Sequence, residues 1–327
     1  QENLLTVYTA PSSFEVKGKL MIGQFSLAFQ DVSIPVSGIP INVIRSYNSF
    51  NKKQGDFGIG WDLALGTGIK VQVTKPLGTE WTAEYDYYFD PGGTGQGSWV
   101  YKLTTDKTPK VLVTYADGRQ DRFEFRPDFM TQPALAIDWV NPIYRPLEGT
   151  TSTLEDLSGT YLYLQSGQLL DLLGEEVGVY NPIEFKLTTA DGMVLIISKT
   201  EGLKSITDRN GNTITFSPTG IAHSTGLSIN MERDGQGRVT RITDPMGRFV
   251  SYVYSGSGDL TGFTDQGGNT TTYGYDADHN LTSITDARGI QILQTQYDAE
   301  GRMIGTVDGL GNSTQVAHDP ENAREYA

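Results

Sequence analysis

Tyr275-Asp276-Ala277-Asp278-His279-Asn280-Leu281-Thr282-Ser283-Ile284-Thr285-Asp286-Ala287-Arg288-Gly289 is one unit of an internal repeat. Its closing Asp-x-x-Gly occurs five times, as Asp208/Gly211, Asp244/Gly247, Asp265/Gly268, Asp286/Gly289 and Asp308/Gly311. Successive aspartates are 36, 21, 21 and 22 residues apart. Three of them follow a tyrosine by eleven residues: Tyr254, Tyr275 and Tyr297. A short fixed period signals one supersecondary unit stacked many times, so the architecture follows from one unit.

Neighbouring units align on this one. Gly237, Gly258 and Gly301 take the place of His279, and Val239, Leu260 and Met303 that of Leu281. Ile242 and Phe263 match Ile284, Thr306 breaks the apolar pattern there, and Arg233 replaces the tyrosine. Two turn signals alternate, one at Asp-x-x-Gly and one four residues after the tyrosine. Aspartate starts a turn by bonding nearby backbone, and glycine supplies the positive φ that closes it. Between the turns lie runs such as Phe249-Val250-Ser251-Tyr252-Val253-Tyr254, which alternate as half-buried strands do. Each unit reads as a β-hairpin with Leu281, Ile284 and the tyrosines on its apolar side. A lone hairpin is marginal in water, so the units are expected to pair edge to edge in one antiparallel sheet. The tyrosines are then expected to form a cross-strand ladder.

Tyr297-Asp298-Ala299-Glu300-Gly301-Arg302 resembles the tyrosine–aspartate (YD) repeat of the Rhs, or rearrangement-hotspot, family, as do 207–212 and 243–248. Arg45-Ser46-Tyr47-Asn48-Ser49, followed by Gly55-Asp56-Phe57-Gly58-Ile59-Gly60-Trp61, resembles the segment that opens such repeat regions. The segments 115–119 and 188–192 look like irregular early repeats. The resemblance covers 25–70 and 185–320 well and 70–185 weakly. It implies an all-β fold, a spiralling antiparallel sheet of YD-repeat hairpins forming part of a β-solenoid-like shell, with an irregular N-terminal β-region. It also implies a function: a hollow shell that encloses a C-terminal effector or toxin polypeptide, as in polymorphic toxins and insecticidal toxin-complex shells, or, without a toxin role, in teneurins. Shells of this family often end in a self-cleaving centre with an Asp-Pro-x-Gly core. Asp244-Pro245-Met246-Gly247 has that string, but it stands in repeat register with further repeats after it and reads as an ordinary turn.

Composition narrows the setting. The chain has 327 residues, 38 of them glycine, no cysteine and a formal net charge of −14. Disulfides and thiolate metal sites are thereby excluded, and an acidic surface disfavours nucleic acid. No apolar run is long enough to span a membrane. Gln1 reads as a processed or trimmed end. The chain is expected to be secreted or at the cell surface of a bacterium. Helical periodicity is weak; its best places are 169–173 and 319–327. The expected organisation is a lead-in over 1–24, an Rhs-associated region of irregular strands over 25–200 and regular repeats over 201–327. Pro91–Gly97 reads as a flexible loop, and prolines 127, 133, 142 and 146 mark a long connection.

No enzyme is expected, and no cofactor. Repeated aspartates are turn residues, because an active site is built once. Asp276-x-Asp278-x-Asn280 copies the start of a calcium loop but has Leu281 and Ala287 where glycine and glutamate belong. His223, His279 and His318 lack ligand spacing and read as surface or turn residues. The residues of interest are therefore the repeat positions above and the signature Arg45, Tyr47, Asn48, Gly55, Phe57, Gly58, Gly60 and Trp61. The expected partners are further repeats or an effector of the same polypeptide, or other copies through β-edge pairing. The alternative is a secreted adhesin or self-assembling β-protein, with carbohydrate as its ligand. A sugar platform would draw on Trp61, Trp81, Trp99 and Trp139, of which Trp61 is expected in the core and Trp81 and Trp99 at the surface.

Overall fold

The computed structural model describes residues 23–64, 69–89, 97–115, 119–129, 139–157, 161–171, 178–319 and 324–326; for 85–89, 97–101, 318–319 and 324–326 it describes the backbone alone. The lead-in to residue 22, most of the 91–97 loop, Trp99's side chain and that of His318 lie outside this set. Every regular element among the described residues is a strand.

Fifteen strands make one open antiparallel sheet. It begins with Thr153–Asp156, which pairs with Glu184–Thr188. From Glu184–Thr188 to Ser313–Gln315 each strand pairs with the next in sequence, so the ladder grows hairpin by hairpin. An open twisted sheet of this width must curl or split to keep its faces packed. The last strand, Ser313–Gln315, is exposed along its length and, among the described residues, pairs with Met303–Asp308 alone. Ser26–Ile34, Ile41–Asn48 and Trp61–Leu63 form a separate three-stranded sheet. Its apolar face packs on the repeats from Ile214 to Ile284 in one core. A second core joins the strands between 69 and 171 to the first strands of the large sheet.

A strand of period two cannot put positions 281 and 284 on one face. The sheet resolves this with a bulge repeated in each unit. Gly274 pairs with Ser283, but Tyr275 pairs with Leu281, which leaves Thr282 as the extra residue. The same shift occurs at Glu232/Arg233, Val253/Tyr254 and Gln296/Tyr297. The bulge turns both Leu281 and Ile284 into the core. It was not anticipated from the repeat pattern, although the three-residue apolar spacing announced it.

Both rims use the same aspartate turn. At Asp286, Oδ1 accepts from the backbone N–H of Arg288 (2.9 Å) and Ile290 (3.0 Å), while Gly289 N–H donates to the Asp286 carbonyl (2.9 Å). The closing bond recurs along this rim: Gly211 N–H donates to the Asp208 carbonyl (3.1 Å), Gly247 to Asp244 (3.0 Å), Gly268 to Asp265 (3.1 Å) and Gly311 to Asp308 (3.0 Å). On the opposite rim Asp234, Asp276 and Asp298 repeat the aspartate pattern directly after the tyrosine position. Hydrogen bonding to the charged form holds several of these carboxyls below the usual range; for Asp208 and Asp286 the largest cause is the side chain of Asn212 and of Arg288 respectively.

Leu169 and Leu170 lie in the strand Gln168–Asp171, and the tail pairs Ala317–Asp319 with Arg324–Tyr326, so the two places of weak helical periodicity are β like the rest. The surface position expected for Trp81 is not found. Trp81 is buried, its indole N–H donating to the Leu77 carbonyl at 2.7 Å, so it offers no surface platform. His223 is a turn residue, as expected, but a buried one: its Nδ1 accepts from Thr225 N–H (3.1 Å), and Gly226 N–H donates to its carbonyl (2.9 Å).

Gly289 has φ 79°, and an added Cβ there would meet open space. Its substitution therefore isolates backbone strain. Gly289→Val is expected to destabilise by about 1–3 kcal/mol in urea unfolding; a midpoint equal to the parent's would contradict the turn geometry.

Candidate functional site

Each bulge removes a backbone group from the ladder, and a buried unpaired N–H is costly. The N-terminal segment supplies a partner at three of the four bulges. Val239 N–H donates to the Asp56 carbonyl (2.8 Å), Leu281 N–H to the Tyr47 hydroxyl (2.9 Å) and Met303 N–H to the Gly23 carbonyl (2.8 Å). These three are corresponding residues of their units. The carbonyls of two of these residues are served by tyrosines of the following unit: Tyr254 hydroxyl donates to the Val239 carbonyl, and Tyr297 hydroxyl to that of Leu281 (3.0 Å). The repeat tyrosine thus staples one hairpin to the previous one, a role beyond the expected ladder.

The same segment runs along the tyrosine–aspartate rim. Gln54 Nε2 donates to the Gln236 carbonyl (2.6 Å), Ile59 N–H to that of Gly258 (3.1 Å), and Lys52 Nζ to Asn280 Oδ1 (2.6 Å). Arg233, which replaces a tyrosine, reaches Asp56 instead (2.8 Å). Gly58 has φ 96°, and a Cβ on it would stand 2.7 Å from the Gly258 carbonyl oxygen, so glycine is required twice over. Gly55 and Gly60 are similarly crowded, by Asp62 and by the Tyr47 ring. Phe57 and Trp61 are fully buried; Phe57 packs on Tyr252 with ring centroids 4.8 Å apart, and Trp61 Nε1 donates to Tyr275 hydroxyl (2.8 Å). Asn48 holds the following loop, its Oδ1 accepting from Phe50 N–H (2.9 Å).

The glycines of the Asp-x-x-Gly turns stand apart from this group and occupy the turns that their spacing predicts. Gly211, Gly247, Gly268, Gly289 and Gly311 are all exposed, on the rim opposite the one that Gln54, Ile59 and Lys52 bond. Gly211, Gly268 and Gly311 have φ 85°, 84° and 85°, and a Cβ added to any of them would meet nothing within 4 Å. Nothing packs on these glycines, so their recurrence reflects the left-handed backbone that closes each turn and not a contact or a ligand. Repetition in sequence marked a local conformational need, which is why it singled them out alongside residues that make tertiary contacts.

At the centre sits Arg45, with no exposed surface. Its Nε and Nη2 bond Asp31 at 2.9 and 3.1 Å, and Nη2 also donates to Tyr273 hydroxyl (3.1 Å). Tyr252 hydroxyl donates to Asp31 Oδ2 (2.8 Å). Five rings surround the guanidinium, Trp61 nearest at 4.7 Å. Burial pulls the Arg45 guanidinium down, but Asp31 and the tyrosines hold it above its ordinary value. Asp31 was missed in the sequence. It is the extra residue of a bulge between Gln30 and Val32, which aims both Asp31 and Val32 inward. The signal was there: Leu27, Phe29 and then Val32, Ile34 change alternation phase at Asp31.

One unit departs from the pattern. Ser255 replaces the turn aspartate, and Asp259 stands where Arg238 and Arg302 stand in their units. Asp259 is instead held by Ser257 Oγ (2.8 Å) and His279 Nδ1 (2.8 Å). His279 has φ 60°, where its counterparts are glycines of positive φ. Burial lowers the Lys52 ammonium beside this group. Both Asp276 oxygens are engaged by the turn's own donors, so the calcium-like string is a turn.

Arrangement and chemistry agree on a seam that holds the repeats together. The sequence profile of the family described as RHS Repeat matches 233–262 and 254–291. A family described only as a domain of unknown function, DUF6531, matches 19–75, which contains the whole signature. No curated protein matches the chain. Among solved structures, a TcdB2–TccC3–Cdc42 crystal structure matches at 13% identity with TM-score 0.19, over 68% of this chain and 18% of that one. A Photorhabdus luminescens Tc holotoxin pore with mutated TccC3 matches at 11% identity with TM-score 0.21, over 90% of this chain and 21% of that one. The chain therefore spans about a fifth of the length of these structures.

Two outcomes are expected of the seam. Arg45→Met leaves the Asp31 carboxylate buried without its countercharge and should lower stability by about 3–5 kcal/mol; a loss below about 1 kcal/mol would show the pair to be dispensable. Burial raises Tyr47, Tyr252, Tyr254, Tyr273 and Tyr275 above the ordinary tyrosine value and Tyr297 to about 12. Above about pH 10 the unfolded chain gives up these protons first, so stability present below that pH is lost as pH rises. Urea midpoints measured from about pH 8 to 12 should fall, and less steeply in Tyr275→Phe. Parallel curves would argue against the assignment.

Proposed function

We propose that this chain, an RHS/YD-repeat protein, is a non-enzymatic scaffold, part of a shell that encloses a C-terminal effector or toxin polypeptide. The observation that carries the reading is the unbroken hairpin-by-hairpin growth of the large sheet toward an open edge at Ser313–Gln315. Among the described residues no further strand pairs with that edge, which continues the register of the preceding units and is suited to accept the next strand of the same kind. A sheet extended in this way and curled by its own twist makes a wall, and the N-terminal signature fixes the curvature of its first units. The division into a lead-in, an irregular region over 25–200 and repeats over 201–327 belongs to this proposal, as do bacterial export and a secreted or cell-surface location. No helix among the described residues is long and apolar enough to cross a membrane.

Pairing of the same edge with a second copy would serve an adhesive or self-assembling protein instead. Limited proteolysis of the native protein separates the two. Under the shell reading, the enclosed effector polypeptide of the native protein resists protease until the repeats are unfolded. Digestion at the rate of an open chain, with the repeats intact, would overturn it.

A further inference from the structure

The outer face of the sheet holding Lys110–Thr114, Gln120–Phe125 and Tyr144–Pro146 runs against the charge of the whole chain. Phe123 and Phe125 point into the core, so Glu124 points outward, with Arg145 and Lys110 directly across from it on either side. Beside this row lies a cavity of about 300 Å³ whose lining includes Lys102, Arg126 and Arg145, the threonines 104, 105 and 108, and the single carboxylate Asp128. Arg126 is already tied to Glu124 at 2.6 Å. Lys102 lies across the ladder from Glu84, whose carboxylate accepts from Thr104 Oγ1 (2.9 Å). Neither Lys102 nor Arg145 has an ion-pair partner among the described residues.

In a chain of net charge −14, the lining carries three cations against the one carboxylate of Asp128, and with Arg126 held by Glu124 it is Lys102 and Arg145 that are left to meet a ligand. We propose that this cavity binds a small ligand bearing an oxyanion, a phosphate or a carboxylate. A guanidinium presents paired donors that match two oxygens of such a group, an ammonium adds a point charge, and threonine hydroxyls donate to the remaining oxygens. The lining is mostly polar, so recognition of an uncharged apolar ligand has no support there. Trp81 lines the cavity but is buried and bonded to Leu77, so it acts as a rigid wall and not as a stacking platform.

The test is calorimetric titration of the whole chain with inorganic phosphate, glucuronate and glucose at low ionic strength. Saturable binding of phosphate or glucuronate is expected, with Kd on the order of 1 mM or tighter, weakened by added salt. Stronger binding of phosphate points to a phosphorylated ligand, and stronger binding of glucuronate to an acidic sugar; glucose should not bind. Arg145→Ala combined with Lys102→Ala should weaken the anion at least about tenfold, which is about 1.4 kcal/mol. Both side chains are exposed, so the variant should fold, and an unchanged melting curve checks this. Arg209→Ala, an exposed arginine away from the cavity, serves as the control. Absence of binding by either anion, equal binding of glucose, or equal loss in the control overturns the proposal.

Discussion

Satisfaction of the backbone at a repeated bulge governs this structure. Placing residues three apart on one face, as Leu281 and Ile284 require, forces an extra residue into each hairpin. That extra residue takes the N–H and C=O of its neighbour out of the ladder. A sheet with this defect in every unit would leave buried polar groups along a line, each costing about 1–3 kcal/mol if unpaired. Two devices meet this need. The next unit's tyrosine hydroxyl bonds the carbonyl, and the N-terminal segment bonds the N–H groups of Val239, Leu281 and Met303.

The N-terminal sheet is thereby more than a lid of apolar side chains. Its carbonyls and the Tyr47 hydroxyl are spaced to the repeat, so it fits one register only. A slip of one unit would separate Asp56 from Arg233 and Gly58 from the Gly258 carbonyl. The buried Arg45–Asp31 pair adds to this selectivity. Its aromatic cage draws on both partners of the seam: Phe29 and Trp61 from one, Tyr252, Phe263 and Tyr273 from the other. A charge pair of this kind contributes to uniqueness of docking as much as to net stability, since desolvation offsets much of its attraction.

Much of this was legible in the residues. The repeat period, the strands between turns and the all-β character follow from Asp, Gly and Tyr spacing alone. The signature residues stood out as a group, but their contacts did not, because hydrogen bonds between positions 47 and 281 leave no local trace. The turn glycines stood out equally, yet a Cβ on Gly211, Gly268 or Gly311 would meet open space, since a demand on φ repeats in sequence as plainly as a demand on tertiary contact. Asp31 was overlooked since a lone acid among apolar residues reads as solvent-facing until the phase change around it is noticed. His279 and Asp259 were readable as departures from consensus, yet only the fold shows that adjacent turns bring them within 2.8 Å. Trp81 was misplaced because nothing local distinguishes a buried aromatic with a hydrogen-bond partner from an exposed one.

The central claim is that the signature satisfies the bulge amides, and native-state hydrogen exchange of Leu281 tests it most directly. In the parent chain the Leu281 amide should exchange only with the global unfolding of the repeats. In Tyr47→Phe, which keeps the ring and removes the acceptor, that amide should exchange many times faster while Ile284 in the same strand stays protected. Equal protection of Leu281 in the two proteins, or fast exchange in the parent, would contradict the account.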